Sequence, residues 1–307
     1  MVKKVLLLAL SLIIVSCVDT DKLSSDSVVD RNTIKRTYTE LDKWIYENYT
    51  KPYGIEVIYR WERNNTEKGT FLYPPKLENI QPVLETIKEL FLEFYTRQDV
   101  GGADYMKEKN PIRIHLYGGE NLDAHNVELL TNRSGVAAEM YIYNVNAFEK
   151  KNRDRVFELM RSVHHQFAKR LAELFPYDRD KFLLISQNRY SPSTADFIAD
   201  VRGSMSRKDF FSSSEYANRR GFFTMHSFLS AEDDFAEVVS IVLNSTPKEI
   251  LKYIKRTETP AEDGTSEEEA KLASKQLKDK YQMVSEYFKK TLGMNLEKIQ
   301  IVSAKQI

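Results

Sequence analysis

Between positions 155 and 175, Val156, Met160, Val163, Phe167, Leu171 and Leu174 recur at spacings of three and four. That period draws one apolar stripe along an α-helix and no other regular element. The helix is expected over Arg155–Phe175, with Pro176 ending it because proline has no N–H to continue the ladder. A stripe of that length has to be covered by other elements, so the chain needs a packed, core-forming domain. A second stripe, His165, Ala168, Lys169 and Ala172, runs beside the first, since residues three and four apart share a helix face.

The second stripe carries the chemistry. His164-His165-Gln166-Phe167-Ala168-Lys169 has the frame of H-E-x-x-H, in which two imidazoles one turn apart bind zinc and the Glu acts as general base. His165 holds the first histidine position. Gln166 stands where the catalytic Glu belongs, and its carboxamide takes no proton at neutral pH. Lys169 stands at the second ligand position, where its ammonium must first lose a proton to bind metal. These two replacements tell against zinc and hydrolysis.

The N-terminus reads as a processing signal. Met1-Val2-Lys3-Lys4 is basic, and Val5 to Val15 is apolar but too short to span a bilayer. Ile14-Val15-Ser16-Cys17 then matches a bacterial lipoprotein cleavage box. The expectation is a signal peptide over 1–16, lipidation of Cys17, a polar tether over 17–32 and one domain over 33–307. Cys17 is the only cysteine, so an exported domain has neither disulfides nor thiolate metal ligands. Lys plus Arg and Asp plus Glu each number 45, a balance that gives no field for nucleic acid. The chain has no G-x-S-x-G elbow and no Gly-rich phosphate loop.

Periodicity places further helices at about Thr37–Tyr49, Ile80–Tyr95, Ala231–Leu243, Lys248–Ile254 and Glu268–Leu292. Strand patterns fall at Ile55–Trp61, Ile112–Tyr117 and Met140–Val145, with Tyr141, Tyr143 and Val145 on one face. Phe182–Arg220 has no clear period, and Arg256–Glu269 is a charged loop. Three separated strands among many helices predict an α+β domain rather than a doubly wound sheet. His115 and His125 fit structural or surface roles, His164 a core position or a hydrogen-bond cap, and His226 a substitute ligand.

Many ordered blocks together carry a family resemblance. They include Leu41-Asp42-Lys43-Trp44-Ile45-Tyr46-Glu47-Asn48-Tyr49, Tyr59-Arg60-Trp61, Tyr143-Asn144-Val145-Asn146, Val163-His164-His165 and Glu232-Asp233-Asp234-Phe235-Ala236-Glu237. On these the chain resembles the Bacteroidetes lipoproteins called substrate import-associated zinc metallohydrolases, a zincin-like metallopeptidase group. The resemblance implies a helix-rich zincin-like fold with a small sheet and a site motif H-H-E-F-A-H. His164, His165, Phe167 and Ala168 match it; Gln166 and Lys169 depart from it. It implies His165 and Glu237 as metal ligands, Glu237 being the third. In a pseudo-site, Lys169 is expected to take the metal's place and pair with Glu237. It further implies an outer-membrane location, with a membrane anchor and, as partners, a transporter and a substrate-binding lipoprotein. Two functions follow: a catalytically impaired accessory lipoprotein, or an active zinc hydrolase with an atypical ligand set.

Overall fold

The computed structural model describes residues 38–60, 72–122, 128–130, 138–191, 193, 214–260 and 264–303. The signal, Cys17, the tether and His125 lie outside them. The chain divides into two compact units, Met1–Asp42 and Lys43–Ile307. Of the first unit only residues 38–42 are described, where Asp42 accepts hydrogen bonds from the backbone N–H and hydroxyl of Thr39.

Helix α1 (Glu40–Ile45) continues through a π-helical turn, Tyr46–Thr50, to Lys51–Tyr53. It stops at Gly54, whose φ of 69° is the left-handed conformation that favours glycine. Helix α2 (Leu77–Ile87) likewise passes through a π-helical turn, Lys88–Leu92, into Glu93–Thr96. It buries Val83, Leu84, Ile87, Phe91 and Phe94, the apolar stripe expected from its period.

Strands β1 (Glu56–Ile58), β2 (Arg113–Leu116) and β3 (Glu139–Ile142) form one parallel sheet in that order. Glu56 pairs with Arg113, and Arg113 with Glu139. The Arg113 guanidinium therefore reaches both carboxylates, at 2.8 Å each, and fixes the register from side chains as well as backbone. The third strand is shorter than its sequence pattern. Asn144 adopts φ 59° and turns the chain into a 3-10 turn over Val145–Ala147. Tyr143 and Val145 consequently do not extend the strand face of Tyr141.

Helix α3 (Arg153–Leu174) is the long helix expected from the Val156–Leu174 stripe. Asn152 caps it, accepting from the N–H groups of Asp154 and Arg155. Behind it come α4 (Arg179–Ser186), a short α5 (Ser214–Asn218) and a 3-10 turn, Met225–Phe228. Then follow α6 (Ala231–Leu243), α7 (Pro247–Thr257), α8 (Glu267–Lys290) and α9 (Leu296–Ser303). The period missed α4 and α9. It also placed the start of α7 one residue late, although Thr246 and Glu249 form a reciprocal capping box there. No described helix is long and apolar enough to cross a membrane.

The most extensive helix pairing is α3 against α6. Under α3, Phe91, Tyr95 and Phe167 pack edge to face, and the His164 ring joins them at 6.4 and 6.2 Å from Phe91 and Tyr95. His164 is thus a core residue, as expected. Burial pushes its imidazole down to about 4, so it stays neutral. A buried ion pair, Lys280 with Asp234 at 2.7 Å, ties α8 to α6. Lys280 also donates to the carbonyl of Gly221 and lies 3.8 Å over the Phe222 ring. Gly221 needs to be glycine: its φ is 76°, and a Cβ would fall 2.2 Å from the Gln276 carboxamide.

Candidate active site

Two rows of residues spaced four apart build the site. Arg161, His165 and Lys169 stand one turn apart on α3, and Asp233 and Glu237 stand one turn apart on α6. Rising numbers on α3 meet falling numbers on α6, so the two rows mesh as antiparallel ladders. Arg161 donates to Glu237 Oε2 from Nη2 at 2.6 Å and Nε at 3.1 Å. His165 Nδ1 lies 2.7 Å from Glu237 Oε1, and its Nε2 lies 3.7 Å from Asp233 Oδ1. Lys169 Nζ donates to the same Asp233 oxygen at 2.6 Å. Thr224 donates its hydroxyl to Glu237, and Ser230 caps α6 while donating to Asp233 at 2.8 Å.

His165 and Glu237, paired on the sequence, therefore do meet, and both are fully buried. The expected Lys169–Glu237 salt bridge is corrected. Lys169 lies one turn beyond His165, and a rise of about 5.4 Å per turn carries its ammonium to Asp233 instead. Arg161 takes Glu237. The sequence reading missed both Arg161 and Asp233. Their signal was the i,i+4 spacing itself: Arg161 precedes His165 by four, and Asp233 precedes Glu237 by four.

The role expected of Glu237 also changes. Burial would raise its pKa, but the Arg161 guanidinium and the His165 hydrogen bond outweigh it and hold the carboxyl well below its usual range. An ionised Glu237 only accepts, so His165 Nδ1 carries the proton and donates it. Its Nε2 then faces the Asp233–Lys169 pair. A carboxylate behind Nδ1 orients an imidazole; it does not share a metal bound at Nε2. Asp233 is likewise held well below its usual range, the His165 and Lys169 contacts outweighing its burial.

Gln166 offers no base and no free amide. Its Oε1 accepts from the Tyr141 N–H at 2.7 Å, and its Nε2 donates to the Tyr141 carbonyl at 2.8 Å. The side chain pairs with β3 as another strand would, which occupies both ends of the carboxamide. His226 is buried beside the site, with ring centroids 6.3 Å from His165 and burial lowering it to about 4. Among the described residues its Nε2 has no hydrogen-bond partner. His115 is structural, bonded to Glu139 at 2.9 Å and stacked on Tyr141 at 4.7 Å.

A small parallel sheet, a long helix bearing an H-x-x-x-K row and a second helix supplying carboxylates define a metallopeptidase-type α+β domain. The family model described as "Putative zinc-binding metallo-peptidase" matches residues 34–297, and the chain belongs to that family. The crystal structure of a "putative zinc-binding metallo-peptidase" from Bacteroides caccae is similar, with TM-score 0.58 and 23% identity over 86% of this chain and 90% of that one. That likeness is one of fold. No curated protein matches the chain.

The residues present do not fit the zinc the family implies. Among the described residues no three His, Cys, Asp or Glu side chains converge on one point. The decisive obstacle is chemical. A dication at His165 Nε2 would meet the Lys169 ammonium, and the carboxylate beside it, Asp233, is already held by that ammonium. Glu237 is saturated by Arg161, His165 and Thr224.

Proposed function

We propose that this chain is a non-catalytic member of its metallopeptidase family, an accessory lipoprotein in which Lys169 takes the place of the metal. One observation carries the reading: Lys169 Nζ lies 2.6 Å from Asp233 Oδ1, the carboxylate facing His165 Nε2. Arg161, Lys169, Asp233 and Glu237 balance to zero charge around His165, so these four charges need no dication to compensate them. Hydrolysis needs an activated water with a base near it. Gln166 is no base, and its amide is used on Tyr141.

The remainder of the proposal rests on the sequence. Residues 1–16 are removed, Cys17 is acylated, 17–32 tether the domain 33–307, and the protein sits at the outer membrane. There it serves nutrient import beside a transporter and a substrate-binding lipoprotein, with no nucleic-acid partner. The basic start, the short apolar run and Ser16-Cys17 support the anchor, and the family resemblance supports the setting.

A second reading, an atypical zinc hydrolase, draws on the unpartnered Nε2 of His226 beside His165. Calorimetric zinc titration of the full chain separates the two. The wild type is expected to show no tight site. Gln166→Glu with Lys169→His is expected to gain one, since it restores two neutral imidazoles one turn apart and releases Asp233 as a third donor. Tight binding of one zinc by the wild type, lost in both His165→Ala and His226→Ala, would overturn the proposal in favour of the hydrolase.

A further inference from the structure

A cavity of about 430 Å³ lies between the end of α4, α5 and the start of α8. That size lies within the range of roughly 300–1,000 Å³ typical of small-molecule sites. Three guanidiniums line it, from Arg189, Arg219 and Arg220, together with the rings of Tyr190, Tyr216 and Phe228.

The wall is built and rigid. Ser191 N–H donates to the Phe228 carbonyl at 2.8 Å, and Phe228 packs on Phe222 at 4.3 Å. The Tyr190 hydroxyl donates to the buried Asp234 at 2.8 Å. Arg220 lies 3.6 Å over the Tyr216 ring, and its Nη1 donates to the Tyr216 carbonyl. Each contact holds a cavity-lining group in place before any ligand arrives.

The charges are unequal. Arg219 is paired with Glu215. Glu269 is the one carboxylate in the lining, and its Oε2 already accepts from the N–H and hydroxyl of Ser266, each at 2.9 Å. Two guanidiniums, Arg189 and Arg220, thus share one carboxylate that is engaged elsewhere. Among the described residues the Arg189 guanidinium makes no side-chain hydrogen bond or close ion pair, although it is half-buried. Burial and the neighbouring charge of Arg220 lower its pKa, and the Glu269 carboxylate offsets them only in part. A guanidinium presents a planar fork of donors that matches carboxylate and phosphate oxygens.

We propose that this cavity binds a small organic oxyanion, a carboxylate or phosphate ester of about monosaccharide size, clamped between Arg189 and Arg220. The aromatic rings give the ligand's carbon skeleton its contact area, and the side chains of Asn188 and Ser191 in the lining suit its hydroxyl groups. The site is independent of the zinc question, since it uses none of the α3 row.

Calorimetric titration of the full chain with glucuronate, glucose 6-phosphate and neutral glucose tests it. One or both anions should bind, the better one naming the anion class, and glucose should not. Arg189→Gln should weaken binding about 10-fold or more, as expected for loss of a charged hydrogen-bond donor. The same variant should leave the melting temperature nearly unchanged or raise it, because among the described residues the Arg189 guanidinium makes no side-chain hydrogen bond or close ion pair. Arg189→Lys should recover part of the affinity, keeping the charge but not the fork. Arg220→Gln should weaken binding as well; should it fail to fold for want of the Tyr216 contact, the Arg189 pair alone decides. Failure of both anions to bind, glucose binding as well as they do, or unchanged affinity in Arg189→Gln would overturn the proposal.

Discussion

Replacing Arg161 by Met tests the α3–α6 ladder most directly. Methionine keeps much of the apolar stem of the side chain and removes only the guanidinium. Glu237 would then remain as a carboxylate with no solvent access, holding hydrogen bonds from His165 and Thr224 but no compensating cation. Removing one partner of a buried ion pair costs about 3–5 kcal/mol. Arg161 is itself partly exposed, so the lower end, about 3 kcal/mol at pH 7.5, is expected. At roughly 2–4 °C per kcal/mol for a chain of this size, the melting temperature should fall by about 6–12 °C. Adding Glu237→Gln removes the stranded charge. The double variant should therefore be more stable than the sum of the two singles implies, by about 2 kcal/mol. Urea unfolding of the four proteins measures all these quantities. A loss under about 1 kcal/mol for Arg161→Met, with strict additivity in the double variant, would show that Glu237 does not depend on Arg161.

The other predictions are brief. Gln166→Glu should destabilise by about 1–3 kcal/mol, measured by urea unfolding, because a carboxylate cannot donate to the Tyr141 carbonyl. Glu237 and Asp233 are both held below their ordinary range, so their stabilisation is complete above about pH 4–5 and is lost as pH falls further. The wild type should lose more stability between pH 5 and pH 3 than Glu237→Gln does, as followed by circular dichroism of urea melts. Lys280→Met should cost about 3–5 kcal/mol by stranding Asp234, and adding Asp234→Asn should recover a large part of it. Labelled palmitate should enter the wild type and not Cys17→Ser; equal labelling would remove the anchor from the proposal.

What the sequence made legible followed from spacing within one element. The Val156–Leu174 stripe located α3 to within two residues, and the Val83–Phe94 stripe located α2. Spacing could not report partners across elements. The parallel pairing of β1, β2 and β3 depends on where crossovers lay the strands, and the left-handed Asn144 ends β3 before its pattern ends. The core position of His164 was legible because it adjoins Phe167 on the apolar face. The binding of Gln166 to Tyr141 was not, since a strand edge reached by a helix side chain leaves no period.

The pairing of Lys169 is what the proposal of a site without a metal turns on. A lysine placed at a ligand position invites pairing with the carboxylate that pairs with the first histidine, which is Glu237. The antiparallel packing of α3 and α6 forbids that: moving one turn forward from His165 on α3 moves the partner one turn back on α6, to Asp233. Glu237 is left to Arg161, one turn the other way. Lys169 is therefore paired locally rather than left as a stray charge in an otherwise intact zinc pocket, and each carboxylate on α6 has its own cation on α3. Recovering a zinc site therefore depends on removing the Lys169 ammonium from Asp233. Restoring Glu at position 166 alone would add a third carboxylate near the ladder while taking the hydrogen-bonded clamp off Tyr141, and would leave the dication's place filled.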